Sequence, residues 1–399
     1  MEKNLASLNE APSGERVHIG FFGMRNAGKS SLMNAVANQK IAVVSPVKGT
    51  TTDPVKKAME LLPLGPVVLI DTPGIDDEGE LGSLRVERAK QAMSGVDVAV
   101  LTVDASVGLG DDDRALLAVF RERNIPYVIA YNKSDLVVES VAVEDGIAVS
   151  ALTGEGIDAL RAKIAALGSA GRVEKHVAAD LVKPGDCAVL VIPIDDAAPK
   201  GRLILPQQQV IRDLLEAGAA VVCVRDTELP GALASLCEKP AVVITDSQAF
   251  ARVSKLVPED VPLTSFSILF ARYKGELGAL VRGAEALRSL GDGDRVLIAE
   301  GCSHRRQCGD IGTVKLPMWI RNYSHAEPSF SFTSGGEFPD DLSEYSVVVH
   351  CGGCMLNERE MKSRMARCAE AGVPMVNYGV AIAEMNGILS RALKPVLND

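Results

Sequence analysis

No cysteine precedes Cys187, so any thiolate chemistry belongs to the later part of the chain. No apolar run approaches the roughly 20 residues that a membrane span needs. Met1 to Arg16 is polar and lacks the apolar stretch of a secretory leader, so a cytoplasmic location without a membrane partner is expected. Positive charge is in deficit, with 42 Lys and Arg against 52 Asp and Glu and a formal charge of −10. That disfavours a large nucleic-acid surface, because phosphate binding rests on clustered cations. Internal repeats and low-complexity tracts are absent too. What remains is 399 residues, 47% apolar and 24% charged, enough for two or three folded domains.

Short apolar runs alternate with amphipathic stretches up to about residue 168. Val17–Phe22, Val67–Asp71, Val98–Asp104, Tyr127–Asn132 and Ile147–Ser150 are predicted as buried parallel strands. Leu32–Asn38, Leu84–Met93, Arg114–Arg123 and Ile157–Leu167 are predicted as helices between them, a doubly wound α/β pattern. Arg172–Lys183 reads as a linker. A second α/β unit has strands at Ala188–Ile194, Ala220–Arg225 and Ala241–Thr245. Its helices fall at Gln207–Ala217, Leu229–Leu236 and Ser247–Leu256. Small and apolar, it is expected to bury surface against a copy of itself. A third unit opens with a helix near Ile268–Leu290. Its strands are predicted at Arg295–Ala299, Ser346–His350 and Pro374–Asn377, with a helix at Glu358–Ala371. The expected class is α/β with domains at 1–170, 178–262 and 263–399.

Gly23-Met-Arg-Asn-Ala-Gly28-Lys29-Ser30 matches the phosphate-binding loop, set between a predicted strand and a predicted helix. Its glycines let backbone N–H groups, including those of Ala27 and of Ser31 at the helix start, converge on phosphates. Lys29 is expected on the β- and γ-phosphates and Ser30 on magnesium. Asn132-Lys133-Ser134-Asp135 follows a strand. A carboxylate at Asp135 accepts from two guanine donors that adenine lacks, which selects GTP. Ser150-Ala151-Leu152 supplies a backbone N–H for the guanine oxygen. Asp71-Thr72-Pro73-Gly74 fits the γ-phosphate sensor, with Asp71 near magnesium and the Gly74 N–H on phosphate. Gly49-Thr50-Thr51-Thr52-Asp53 fits a first switch, in which Thr51 is favoured to complete the magnesium shell, with Thr50 and Thr52 as alternatives.

These motifs resemble the translation-factor-related GTPases, close to tRNA-modifying enzymes of the MnmE type, over about residues 16 to 168. The resemblance implies GTP hydrolysis. Ile75 stands where many such enzymes place a water-orienting glutamine. Asn26 matches the position that helps to hold potassium in MnmE-like proteins, where a monovalent cation offsets charge developing on the phosphates.

Cys187, Cys223, Cys237 and Cys368 read as small buried apolar residues. Cys302-Ser-His304 and, 46 positions on, His350-Cys351-Gly-Gly-Cys354 form a different group. Thiolates and imidazoles suit an iron–sulfur cluster or zinc. Three cysteines with adjacent His350 and Cys351 fit a closed zinc site poorly and a 4Fe-4S cluster with a replaceable fourth ligand better. Zinc and no metal remain open.

The pattern C-x-H, a long gap, then H-C-x-x-C resembles the signature of the HydF family, the FeFe-hydrogenase maturation GTPases, and the order of domains agrees. The resemblance implies a scaffold or carrier that receives a diiron precursor from radical-SAM maturases and delivers it to apo FeFe-hydrogenase. It implies a homodimer or larger homo-oligomer. It maps Cys302, Cys351 and Cys354 onto the cluster ligands, with His304 and His350 as further metal-site residues; Cys308 stays unassigned. Two rivals stand beside it: a tRNA-modification GTPase, and a GTPase with a structural zinc. The ending Leu393-Lys-Pro-Val-Leu-Asn-Asp399 lacks the Cys-x-Gly-Lys of the MnmE group.

Overall fold

The computed structural model describes residues 13–37, 45–47, 55–72, 93–137, 145–170, 175–194, 203–301 and 310–397. Thr50, Thr51, Thr52, Gly74, Ile75, Cys302, His304 and Cys308 lie outside these residues, as does 84–92 of the helix expected after the γ-phosphate sensor. The chain divides into two compact units, Met1–Val173 and Glu174–Asp399. No helix among the described residues is long and apolar enough to cross a membrane.

The first unit is one seven-stranded sheet in the order β2-β3-β4-β1-β5-β6-β7. Its strands are β1 (Val17–Phe22), β2 (Ser45–Val47), β3 (Val55–Leu61), β4 (Gly65–Asp71), β5 (Val98–Asp104), β6 (Tyr127–Asn132) and β7 (Gly146–Ala148). From β4 to β7 neighbouring strands pair in parallel, whereas β2 and β3 pair antiparallel at one edge. Burial on both faces explains the continuous apolar runs. Val17, Ile19 and Phe21 of β1 meet Leu32 and Val36 of α1 (Lys29–Ala37) and Leu160 and Ile164 of α3 (Ile157–Ser169). Phe22 joins the opposite layer with Leu116 and Phe120 of α2 (Asp111–Glu122). Strand β3, Val-Lys-Lys-Ala-Met-Glu-Leu, next to the edge strand β2, was hidden from the sequence by its charges, which break the apolar run of a strand buried on both faces.

The second unit carries two parallel four-stranded sheets. One has the order β11-β10-β8-β9, from β8 (Cys187–Val191), β9 (Ala220–Val224), β10 (Val242–Thr245) and β11 (Leu263–Ser265). The other has the order β13-β12-β14-β15, from β12 (Arg295–Glu300), β13 (Ser329–Ser334), β14 (Val347–His350) and β15 (Met375–Asn377). A single apolar core joins both, from Val189 and Ile244 to Val296 and Val348. The helices are α4 (Leu205–Glu216), α5 (Leu229–Ser235), α6 (Phe250–Leu256), α7 (Phe266–Lys274), α8 (Leu277–Glu285), α9 (Leu316–Ser324), α10 (Glu358–Glu370), α11 (Tyr378–Met385) and α12 (Leu389–Leu393). Central α7 packs against α4, α8, α10 and α11 and touches β11 and β15.

Three expectations need correction. The helix expected near Ile268–Leu290 is two helices, because Gly275 caps α7 in an extended conformation and the chain restarts at Leu277. The expected linker Arg172–Lys183 is fastened to the second unit from residue 175. Val177 and Ala178 are buried there, and the Ala178 and Ala179 N–H groups donate to the Asp213 carboxylate. Among the four cysteines expected to be buried, Cys368 is, but Cys223 and Cys237 are exposed and Cys187 is half-buried. Cys223 lies on β9, an edge strand with one side unpaired.

Gly283 brings α8 onto β15 so closely that a Cβ there would sit 2.0 Å from the Met375 carbonyl oxygen. Backbone cannot yield as a side chain can, so Gly283→Ala should cost about 1–3 kcal/mol. Thermal unfolding should show a lower Tm for the second unit and an unchanged first unit. An unaltered Tm would contradict this packing.

Candidate functional site

The first unit's candidate site hangs from the carboxyl ends of its parallel strands, where open α/β sheets place ligands. The chain leaves β1 into Gly23, whose φ is 136° and whose Cβ would lie 2.1 Å from the Thr102 carbonyl oxygen. Gly28 has φ 88° and space for no Cβ beside the Asn132 amide. Both positions therefore demand glycine. Asn26, exposed at the loop tip, holds φ 64°, a left-handed conformation that asparagine tolerates. The buried Lys29 donates from Nζ to the Gly23 and Met24 carbonyl oxygens at 2.8 Å each, which closes the loop around its head. Ser30 Oγ donates to Asp71 Oδ2 at 2.5 Å. The two magnesium neighbours expected from sequence thus meet between the start of α1 and the end of β4, and Ser31 is exposed next to Ser30 in α1.

The base-recognition residues are tied to the same loop. Asn132, 2% exposed, donates from Nδ2 to the Ala27 carbonyl oxygen at 2.9 Å and accepts the Ala151 N–H on Oδ1 at 3.0 Å. One amide therefore spans the phosphate loop and the Ser150-Ala151 loop. Lys133, at φ 65°, donates to Asp104 Oδ2 at 2.6 Å. Burial pushes the Asp104 carboxyl up, but hydrogen bonds from Lys133 and Ser106 outweigh it and hold the group below the usual carboxylate value. Ser150 Oγ, fully buried, donates to Asp135 Oδ1 at 2.5 Å and accepts the Thr153 N–H at 3.1 Å. The hydroxyl points the exposed Asp135 carboxylate, a role beyond the backbone N–H expected of this loop.

The second candidate site lies at the ends of β12 and β14. Cys351 Sγ accepts the Gly301 N–H at 3.0 Å and the Gly353 N–H at 3.4 Å, and Gly301 immediately precedes Cys302 in the sequence. Gly353 has φ 63°, which favours glycine in the turn between the two cysteines. Burial pushes the Cys351 thiol up to about 11, against the pull of those two N–H groups. Cys354 is also raised by burial, and the Lys274 ammonium opposes it. Thiols of this kind are protonated at neutral pH unless a metal ion displaces the proton. The donor set fits an iron–sulfur cluster: two soft sulfurs flank a Gly-Gly turn, and N–H groups already aim at one of them. Among the described residues no three His, Cys, Asp or Glu side chains converge on a metal-sized point, and Cys302 and His304 lie outside them.

His350 is fully buried and engaged at both nitrogens. Nδ1 lies 2.8 Å from the Cys351 carbonyl oxygen, and Nε2 lies 3.1 Å from Arg364 Nη1. Since the guanidinium only donates, Nε2 accepts and the proton sits on Nδ1. Burial, then the Arg364 charge, lower its pKa to about 3, so the ring is neutral. Ligation of iron by His350 would require one of these two contacts to break. Arg364 is 1% exposed and also donates to Glu360 and to the Gly335 carbonyl oxygen. Glu300, 6% exposed, receives the Tyr378 hydroxyl at 3.3 Å.

Sequence reasoning missed Asp104, Glu300, Lys274 and Arg364. Asp104 ends a predicted strand and Glu300 directly follows one, a signal that was available. Lys274 and Arg364 looked like ordinary charges on helices, and their burial appears only in the folded chain. Ser150→Ala leaves Asp135 without its pointing hydroxyl and should weaken guanine-nucleotide binding by about 1 kcal/mol, several-fold in Kd. Titration with a fluorescent GDP analogue checks this, and an unchanged Kd would contradict it.

The hydrogen maturase F dimerization domain model matches residues 177–275, and the hydrogen maturase F tetramerization domain model matches 278–395. A 50S ribosome-binding GTPase model matches 18–133. GTPase Era of Crocosphaera subtropica is 35% identical over 173 residues, covering 40% of this chain and 55% of that protein. The tRNA modification GTPase MnmE of Laribacter hongkongensis is 40% identical over 153 residues, covering 37% and 34%. The chain thus spans from about a third to about half of these curated relatives. The structure of Aquifex aeolicus Era bound to GDP and AlF4− is 21% identical and covers 52% of this chain and 94% of that one at a TM-score of 0.32, too low to carry an argument. The two maturase matches adjoin, fill most of the second unit and together take in more than half of the sequence: the chain belongs to the hydrogen maturase F family.

Proposed function

We propose that this chain is a GTPase scaffold of FeFe-hydrogenase maturation. On this reading it binds and hydrolyses GTP with magnesium, holds a 4Fe-4S cluster, and passes a diiron precursor from radical-SAM maturases to apo FeFe-hydrogenase in the cytoplasm. The observation that carries it is the pairing, in one chain of this family, of a phosphate loop laced to a guanine-selecting carboxylate with a Cys-Gly-Gly-Cys turn whose first sulfur already accepts two N–H groups.

Ser30 and Asp71 would hold magnesium together with Thr51. Lys29 and the Gly74 N–H would hold phosphate, and Asp135 the guanine edge. Asn26 would hold potassium, whose charge offsets that developing on the phosphates. Cys302, Cys351 and Cys354 would hold the cluster, which supplies an iron with an exchangeable ligand for the diiron cargo. His304 is a further candidate there, and His350 serves by fixing the Cys351 carbonyl and Arg364. We place the domain boundaries near residues 170, 178 and 262. Homo-oligomer formation is supported by the dimerization and tetramerization matches. The apolar edge strand β9, Ala-Val-Val-Cys-Val, offers unpaired backbone to a second copy.

Anaerobically purified and reconstituted protein should contain iron and sulfide and hydrolyse GTP in preference to ATP. Turnover should be clearly faster in potassium chloride than in sodium chloride. Cys354→Ala should lose the cluster and keep GTP hydrolysis; Lys29→Ala should do the reverse. Stoichiometric zinc without iron would contradict the cluster, equal use of ATP the guanine site, and equal rates in the two salts the potassium site.

A further inference from the structure

Helix α7 is apolar over most of its surface, with Phe266, Ile268, Leu269 and Phe270 buried, yet it ends on a lysine. Lys274 is 2% exposed. Its Nζ donates to the carbonyl oxygens of Gly353 at 3.3 Å, Cys354 at 3.1 Å and Leu356 at 2.7 Å. The ammonium therefore lies inside the turn that presents Cys354. The helix comes from the region matched by the dimerization domain, and the turn from the region matched by the tetramerization domain. A cation at a helix carboxyl terminus is favoured by the helix dipole, but that gain is small beside the cost of desolvating an ammonium. Three carbonyl acceptors satisfy its three protons, more than the two N–H groups of a neutral amide could serve. The charge also reaches the thiol itself, since the ammonium favours the Cys354 thiolate. A 4Fe-4S core held by three thiolates is anionic, and more so after taking up an electron.

We propose that Lys274 is a positioning residue for the cluster site. It holds the Gly353–Leu356 turn so that Cys354 faces the cluster, and its charge favours the reduced over the oxidised cluster. This inference rests on the cluster reading given above.

The test uses the full chain, reconstituted anaerobically with ferrous iron and sulfide. It compares the unmodified protein with Lys274→Gln, Lys274→Met and Lys274→Arg. Gln keeps donors for the carbonyls, Met keeps the stem without them, and Arg keeps the charge. Circular dichroism and size-exclusion chromatography report the fold of each. A one-electron redox titration followed by EPR reports the midpoint potential. The folded neutral variants should bind the cluster at a more negative potential than the unmodified protein and lose iron faster to a chelator. The Arg variant should stay near the unmodified potential. A neutral variant, Gln or Met, with unmoved potential and unmoved iron loss overturns the role of Lys274 while the cluster stands. An unmodified chain that takes up no cluster overturns the cluster reading itself.

Discussion

A parallel sheet covered on both faces uses its backbone for pairing and its side chains for the core, and only the strand ends stay available for chemistry. Both units of this chain obey that constraint. Asp71, Asp104 and Asn132 are the last residues of β4, β5 and β6, and Glu300 and His350 are the last residues of β12 and β14. Each ends an apolar run, and each meets a polar partner on a neighbouring loop or helix. The Asn132 amide carries this furthest, since it grips the phosphate loop at Ala27 and the base loop at Ala151 together. The one side chain thereby fixes the spacing between the loop expected to hold phosphate and the loop expected to meet the base.

The two sites solve opposite electrostatic problems. At the nucleotide site the ligand brings the negative charge, so the protein supplies Lys29, a helix amino terminus and converging N–H groups. Asp71 and Ser30 hold a place for the counter-cation. On the function proposed above, the protein itself would become anionic at the cysteine turn. Burial holds Cys351 near 11 and keeps Cys354 raised, so a metal centre bound there would have to supply the charge that deprotonates them. Below them lie two buried cations, Lys274 and Arg364, with different partners. Lys274 faces carbonyl oxygens of the turn, and Arg364 holds the neutral His350 ring.

Much of this was legible in the sequence for definite reasons. The strands β1, β4, β5 and β6 are buried on both faces, so their apolar runs are continuous. The glycines at 23 and 28 are there because backbone or an amide occupies the space of a Cβ. Strands at or next to a sheet edge escaped notice, because Val55–Leu61 and Ser329–Ser334 carry polar residues that a strand buried on both faces would not. The break at Gly275 was lost inside a long apolar stretch. At the cysteine site, spacing pointed to candidate ligands, but adjacency in sequence could not show that both nitrogens of His350 are already engaged in this fold. That engagement depends on Arg364, brought in by a helix that the sequence marks only as charged.

The central claim is that one chain couples a guanine-nucleotide site to a carrier site for a diiron unit. Purified apo FeFe-hydrogenase, mixed with this protein after its anaerobic loading with a synthetic diiron complex, measures that claim most directly. The account predicts hydrogen evolution that rises with the amount of loaded protein and vanishes for a Cys302→Ala, Cys351→Ala, Cys354→Ala variant carried through the same loading. Equal activation by that variant would contradict it.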